Sequence, residues 1–188
     1  MEKKESKELS KVNQEVARVT EINLPALLEF NRLLNNAPKP ALIKVNDKTG
    51  GRPVKYLPIR VVESLLRSYF GAYQVEMIGN PHIIGNSVVV SVHLKVFHPV
   101  LNQWLTYAGT GAVAIELQAT KKDRDGQVLK EGARHALDFE KLNPMALHKN
   151  VPAAKSFAVS NAAKQIGKIF GSDLNNDELS EIYNVYGV

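Results

Sequence analysis

The chain has 188 residues, of which 24 are Lys or Arg, 19 are Asp or Glu and none is Cys. This length predicts one domain with short appendages, and a hydrophobic fraction of 44% predicts a sizeable core. The absence of cysteine excludes disulfides, a thiol nucleophile and zinc sites built on thiolates. Because no apolar run could span a membrane and the charged first residues do not look like a secretory signal, we expect a soluble protein of the cytoplasm with no membrane contact.

Positive charge is concentrated in the middle of the chain. Residues 39–168 carry 18 basic and nine acidic side chains, a net charge of +9, whereas residues 1–38 carry six of each sign. Residues 169–188 carry four acidic side chains and no basic one. A basic middle between neutral and acidic flanks indicates a polyanionic partner. The alternative is a chance imbalance on a solvated surface.

The first predicted element is a helix over residues 3–36, because apolar residues recur there at helical spacing. Pro25 is expected to restart this helix, since proline fits the first turn and breaks the interior. Residues 35–40 and 47–53, rich in Asn, Gly and Pro, predict two loops. These loops are interpreted as the junction between an N-terminal arm and the core.

A second helix and three strands follow. The helix is predicted from Pro58 to Phe70, with Gly71 as a left-handed C-cap. Strands are predicted over Tyr73–Ile78, Ser87–His98 and Trp104–Leu117. The middle strand alternates between two sets of side chains, which predicts one buried and one open face. The short turns between the strands imply antiparallel neighbours, and therefore a three-stranded β-meander.

The last predicted helix runs from Pro152 to Phe170, with proline in its first turn and Gly171 after its end. Small residues on one side of it indicate close packing on a sheet. The predicted core order is α-β-β-β-α, an α+β fold. We expect an N-terminal arm over 1–53, a core domain over 54–172 and an acidic tail over 173–188. The tail is interpreted either as a loosely docked terminus or as a contact for a protein partner.

No motif for catalysis is found in the sequence. There is no phosphate-binding GxxxxGK[ST] loop and no GxSxG nucleophile elbow. Gly109 and Gly111 interrupt a predicted strand, where they favour a β-bulge over a contact with a ligand. His93 and His98 fall on opposite faces of a strand, so we do not expect them to share a metal. We expect no enzymatic activity, no cofactor and no metal; a small hydrolase that uses a histidine and a carboxylate is the alternative.

Cations on the predicted helices and strands are the candidates for binding. Lys164 and Lys168 are four residues apart on one predicted helical face, and Lys155 falls in the first turn, where free N–H groups favour an anion. Each alone is typical of a solvated surface, but converging on one groove they would track a phosphate backbone. The candidate DNA-binding residues are Lys164, Lys168, Lys155, Arg60, Arg67, Lys95, His93 and Asn161. Aromatic residues that could stack on bases, or pack in the core instead, are Trp104, Tyr56, Tyr69 and Tyr107.

Four segments resemble phage single-strand annealing proteins. They are YLPI at 56–59, VFHPV at 96–100, Trp104 before a Gly-x-Gly-Ala segment, and VPAAKSFA at 151–158 continued by GKIFGSDLN at 167–175. The fourth segment, with its continuation, is similar to the final core helix of that family. The family belongs to the Rad-type annealing superfamily, which includes the ring-forming annealing protein of eukaryotic homologous recombination.

The resemblance covers about residues 54–175 in matching order. It implies a β-β-β-α core, a homo-oligomer in the form of a ring or helical filament, and ATP-independent pairing of complementary single-stranded DNA. It also implies a single-strand-binding protein or an exonuclease as a candidate partner. Relatives carry a basic cluster on the last helix, and Lys164 and Lys168 occupy two of its positions. Gln165 stands where a basic residue is usual, and Ala108 stands where an acidic one is common.

The sequence therefore predicts a phage-type recombination protein that binds single-stranded DNA and anneals complementary strands. Repeating a modest set of cations around a ring multiplies weak contacts into tight binding. The rival interpretation is a passive single-stranded nucleic-acid-binding module without annealing activity.

Overall fold

The computed structural model describes residues 23–47, 53–143 and 145–176, so the predicted helix before residue 23 and most of the acidic tail lie outside the described residues. Within these ranges the chain is a mixed α+β fold with antiparallel sheets, as predicted. The helices are α1 Leu24–Leu34, α2 Ile59–Phe70 and α3 Ala146–Lys164. The strands are β1 Lys44–Asn46, β2 Val54–Tyr56, β3 Tyr73–Met77, β4 His82–Ile84, β5 Ser87–His98, β6 Gln103–Ala114, β7 Lys121–Lys122 and β8 Val128–Lys130. None of the helices in this part of the chain has the length and apolarity to cross a membrane.

The central sheet is organised around β5, with β6 along one edge and β3 and β4 in series along the other. The predicted three-stranded meander is wrong in detail, because a fourth strand that was not predicted, β4, pairs with β5 beyond the bend that follows Met77. Met77 pairs with Val92 but His82 pairs with Val89, so the bend inserts extra residues, and Gly79 within it has a φ of 70°. Two separate hairpins, β1–β2 and β7–β8, lie outside this sheet.

The alternation predicted for β5 is confirmed over the whole strand. One face is buried beneath α2 and α3, whereas the opposite face is only partly covered. Full burial of each valine or leucine contributes roughly 1.5–3 kcal/mol, so this face anchors the core. The buried side chains of β5 are Val88, Val90, Val92, Leu94, Val96 and His98.

Helix α3 differs from its prediction at both ends. It begins at Ala146 instead of Pro152, after a turn in which the Asn143 side chain accepts a hydrogen bond from the Met145 N–H (3.2 Å). Pro152 therefore lies inside the helix, exposed to solvent, where it removes one backbone hydrogen bond. The helix ends at Lys164, earlier than predicted.

The chain after α3 changes direction at Gly167, where a Cβ would lie 2.6 Å from the carbonyl oxygen of Leu34. A 3-10 turn over Lys168–Phe170 follows, and Gly171 then adopts the predicted left-handed conformation with a φ of 85°. The predicted helix therefore consists of two pieces with different axes. Side chains on either side of Gly167 do not share a helical face.

Gly109 and Gly111 allow α3 to lie directly on β6. The ladder between β5 and β6 is unbroken, so the predicted bulge is wrong. A Cβ on Gly109 would lie 2.6 Å from the backbone nitrogen of Ala162, and one on Gly111 would lie 2.5 Å from that of Ala158. These glycines mark a close approach of two backbones. The predicted close packing of the helix on a sheet is confirmed.

Helix α1 packs on the core. It begins as predicted, with Pro25 in its first turn and the Asn23 side chain as N-cap. The ring of Phe30 contacts the rings of Phe70 (centroids 5.6 Å apart) and His98 (4.8 Å). The described part of the predicted N-terminal arm thus contributes to the core.

Candidate nucleic-acid interface

A cleft with a volume of about 610 Å³ lies between the β1–β2 hairpin, the start of α2 and one face of α3. Its floor is apolar and includes Leu57, Val62 and Phe170. None of the lining residues in the described part of the chain is acidic. The polar and aromatic side chains that line it are Asn46, Tyr56, Ser156, Phe157, Ser160, Asn161 and Lys164.

The polar wall of the cleft is a single face of α3. Its members recur every three or four residues, so they project from the same side of the helix. The Asn161 side-chain amide donates to the carbonyl of Thr110 (2.9 Å), and its oxygen lies 3.4 Å from the Lys164 Nζ. The Asn161 contact holds this side chain against β6, while Lys164 stays exposed at the cleft.

Two aromatic side chains are exposed on facing walls of the cleft. Tyr56 on β2 is 43% exposed and Phe157 on α3 is 53% exposed. Exposed aromatic rings beside a cation are the arrangement on which single-stranded bases stack. Phe157 was missed as a site residue, because its neighbours at helical spacing include both core alanines and polar side chains.

Lys44 is a further cation beside the cleft that the sequence did not single out. It pairs directly with Tyr56 across the β1–β2 hairpin, as Asn46 pairs with Val54. Directly opposed residues of an antiparallel pair share one face, so Lys44 lies on the face that lines the cleft. The hairpin was not predicted because its short strands are exposed on both faces and show no alternation.

The β1–β2 hairpin, which forms one wall of the cleft, is held on its other side by the segment that follows the 3-10 turn. The Asn175 side chain accepts from the Lys55 N–H and donates to the Lys55 carbonyl, both at 2.8 Å. These two bonds imitate a neighbouring strand. Upstream, the Lys168 Nζ lies 3.3 Å from the Asp173 carboxylate.

Two of the predicted binding residues occupy other positions than expected. Lys155 lies in the middle of α3, where backbone N–H groups are paired within the helix, so the anion site predicted at a helix start is wrong there. Lys168 lies in the separate 3-10 turn and makes an ion pair with Asp173, so the face it was predicted to share with Lys164 does not exist.

The remaining predicted residues are distributed over two sides of the central sheet. Arg60 and Arg67 are exposed on α2, and the Arg67 guanidinium lies 5.8 Å from the centroid of the Tyr73 ring. His93 and Lys95 lie on the opposite, open face of the sheet, where Lys95 pairs with Glu76 at 2.8 Å. One copy of the chain therefore does not bring all the predicted cations into one trough; it brings Lys164 and Asn161 together.

The outer edge of β6 is capped by amide side chains of α3. Asn150, Asn161 and Gln165 donate to the carbonyls of Ala114 (3.0 Å), Thr110 (2.9 Å) and Ala108 (2.6 Å), respectively. Together the three bonds hold α3 along β6. At Ala108 the acceptor is the backbone carbonyl, so this bond does not depend on the side chain at that position.

The other aromatic candidates do not reach the cleft. Trp104 is 45% exposed on the open sheet face, beside Phe97 with ring centroids 5.7 Å apart. Tyr69 and Tyr107 pack against the core, and burial raises the pKa of the Tyr107 hydroxyl. Of the four predicted stacking residues, Tyr56 lines the cleft.

No family model and no curated protein matches the chain. Within the described ranges, no three histidine or carboxylate side chains converge on a possible metal site. The function is therefore argued from the chemistry of the cleft.

Proposed function

We propose that the cleft binds single-stranded DNA and that the chain, as a homo-oligomer, anneals complementary strands without ATP, as phage single-strand annealing proteins do. The observation that carries this proposal is the composition of the cleft. Two exposed aromatic rings, Tyr56 and Phe157, flank a wall of hydroxyl and amide groups with Lys164, and the described lining residues include no carboxylate. Such a site holds phosphates and stacked bases without reading their sequence.

Gln165 and Ala108, which depart from the pattern of the resembled family, do not alter the composition of the cleft. Neither residue lines it. Gln165 instead donates to the backbone carbonyl of Ala108, a bond that holds α3 against β6. The proposal therefore rests on Lys164 and on the aromatic rings, and it does not require a cation at position 165.

The fold is also compatible with the core pattern that the resemblance implies. When β3 and β4 are counted as one interrupted strand, the order is β-β-β-α, with α3 on the sheet. We include in the proposal that copies assemble into a ring or helical filament. Each cleft offers few cations, so repetition along one DNA strand supplies the affinity. Base pairing supplies the driving force for annealing, so no nucleotide site is required.

A fluorescence-transfer assay with two complementary labelled oligonucleotides, without ATP, tests the proposal. The protein is expected to accelerate pairing. The Phe157→Ala variant should weaken binding of each oligonucleotide by about fivefold or more, because one aromatic–base stack is worth about 1–3 kcal/mol. Phe139→Ala is the matched control, since Phe139 is 46% exposed but lies outside the cleft.

Lys164→Ala should also weaken binding, whereas Lys130→Ala, which removes an exposed cation of β8, should not. Binding without faster pairing would identify the passive nucleic-acid-binding module instead. Equal binding by all four variants and the parent chain would place the DNA elsewhere, and absence of binding would overturn the proposal.

A further inference from the structure

Residues 177–188 have a composition that complements the cleft. Three of them are acidic, none is basic, and apolar residues alternate irregularly with them. Carboxylates can take the place of phosphates beside a lysine, and tyrosine rings can take the place of bases beside exposed aromatic rings. The acidic members are Asp177, Glu178 and Glu181, and the apolar members are Leu179, Ile182, Tyr183, Val185, Tyr186 and Val188.

The residues that precede this segment lie against the hairpin that forms one wall of the cleft. Asn175 is bonded to both backbone groups of Lys55 on β2. Asn176 lines a shallow cavity on one face of the β1–β2 hairpin, together with Val45 and Lys55. The other face of the same hairpin, which carries Tyr56, lines the cleft. A single two-stranded ribbon therefore separates the last described residue from the cleft.

Chain length allows the segment to cross that ribbon. Neighbouring strands lie about 5 Å apart, so the hairpin is a narrow barrier. A segment of twelve residues reaches about 40 Å when extended, at about 3.3 Å per residue. A tethered segment of this length acts at an effective concentration in the millimolar range, which makes even weak docking substantial.

We propose that residues 177–188 dock into the cleft of their own chain when no nucleic acid is bound, with their carboxylates at Lys44 and Lys164 and their tyrosines beside Tyr56 and Phe157. The identity of the ligand that displaces them rests on the proposed function, but the docking itself does not. DNA must then displace the segment before it can bind. The segment therefore lowers the affinity for weak or short ligands. A long strand, which many copies hold at once, stays bound.

Cross-linking of the full chain without DNA tests the docking. A carbodiimide joins an amine and a carboxylate only when the two are in contact, and peptide mass spectrometry then identifies the pair. We expect links from Lys44 or Lys164 to Glu178 or Glu181, and none from Lys130 to the same carboxylates. In a mixture of ¹⁴N and ¹⁵N protein, these links should join peptides of the same isotope. Absence of the links, or links mainly between isotopes, would overturn the proposal.

Binding of a labelled oligothymidylate tests the competition. In the full chain, the triple variant Asp177→Asn, Glu178→Gln, Glu181→Gln should bind about fivefold more tightly at low salt, because a tethered competitor at millimolar effective concentration is removed. The gain should shrink at high salt, where the screening length shortens. The matched control, Asp125→Asn, Glu131→Gln, Glu140→Gln, removes the same number of charges outside the cleft.

The two measurements separate failure of the docking from failure of the proposed function. Equal tightening by both triple variants would mean a general charge effect and would overturn the competition. Cross-links without DNA binding by any variant would support the docking and reject single-stranded DNA as the ligand. DNA binding without cross-links, unchanged in the triple variant, would reject the docking and leave the proposed function standing.

Discussion

At the scale of single residues, Gly111 sets how closely α3 approaches the sheet. An added Cβ would lie 2.5 Å from the backbone nitrogen of Ala158 and 2.8 Å from the Cβ of Phe157. Neither atom can rotate away, because both belong to the helix framework. Gly111→Ala should therefore destabilise the fold by about 1–3 kcal/mol, the usual cost of overpacking, as measured by urea unfolding. The neighbouring Ala112→Ser change, on an exposed position, is the control, and equal stability of the two variants would contradict this account.

His98 makes the stability of the fold depend on pH. Its ring is buried between Phe30 and Phe70, and burial lowers the pKa of the imidazole from its ordinary value of 6.5. The Nδ1 also accepts the N–H of Leu101 (3.2 Å), a bond that protonation of that nitrogen would break. Below about pH 6.5 the unfolded chain therefore binds a proton that the folded chain resists, so stability is complete above that pH and falls as the pH decreases towards the lowered pKa.

Thermal unfolding between about pH 8 and pH 5 measures this effect. The parent chain should lose melting temperature in the acid half of the range. His98→Gln keeps a hydrogen-bond acceptor but does not titrate, so its curve should be flatter. An equally steep loss in that variant would assign the pH dependence to other groups.

Sequence reasoning at the residue scale succeeded where one physical rule decides the outcome. The buried side chains of β5 were predicted from an alternation with a period of two. The left-handed conformation of Gly171 was predicted because glycine adopts a positive φ without strain. It failed for Gly109 and Gly111, because a bulge and a close approach both favour glycine. Only the position of α3 distinguishes the two, and that position depends on residues far away in the sequence.

At the scale of secondary-structure elements, Pro152 shows why the bounds of α3 were predicted wrongly. The rule that proline occupies the first turn of a helix holds for Pro25 in α1. It fails for Pro152, which is tolerated inside α3 because its ring faces solvent. The true start has no capping side chain: the N-cap is Met145, and the Asn143 side chain bonds the Met145 N–H in the turn before the helix. A local rule with two permitted positions cannot choose between them.

Pro152→Ala should stabilise α3, because it restores a backbone donor in the helix interior and removes a steric conflict. The expected gain is about 1–3 kcal/mol in the free energy of unfolding, somewhat below the full intrinsic penalty of an internal proline. Pro58→Ala is the control, since Pro58 is the N-cap of α2 and no interior helical bond is restored there. A Pro152→Ala variant no more stable than the parent would show that α3 has adapted fully to its proline.

At the scale of the whole molecule, the salt dependence of affinity tests the proposed DNA binding, because it reports how many cations contact phosphates. Each phosphate contact on a single strand should contribute about 0.7 to the slope of log affinity against log salt. Lys164→Ala should reduce that slope, whereas Lys95→Ala should leave it unchanged, because Lys95 is already paired with Glu76 on the far face of the sheet. Titrations of a labelled oligonucleotide at several salt concentrations measure both slopes. A smaller slope in the Lys95 variant would mean that the open face also contacts DNA.

The convergence of site residues was the part of the molecule least accessible from sequence. Helical spacing identified Asn161 and Lys164 as neighbours, because their relation is local. The division of Arg60 and Lys95 between opposite sides of the sheet depends on which face the helices cover. Charge counts alone carry no information about that choice.

The amides that α3 places along β6 also limit how copies of the chain can add to one another. Asn150, Asn161 and Gln165 occupy three outward carbonyls of that strand, so β6 offers a poor template for a foreign strand. In the central sheet, backbone pairing with another chain is then left to the opposite rim, which β3 and β4 form. A sheet with one protected rim cannot be extended by further strands in both directions, so open-ended growth of this sheet from copy to copy is blocked.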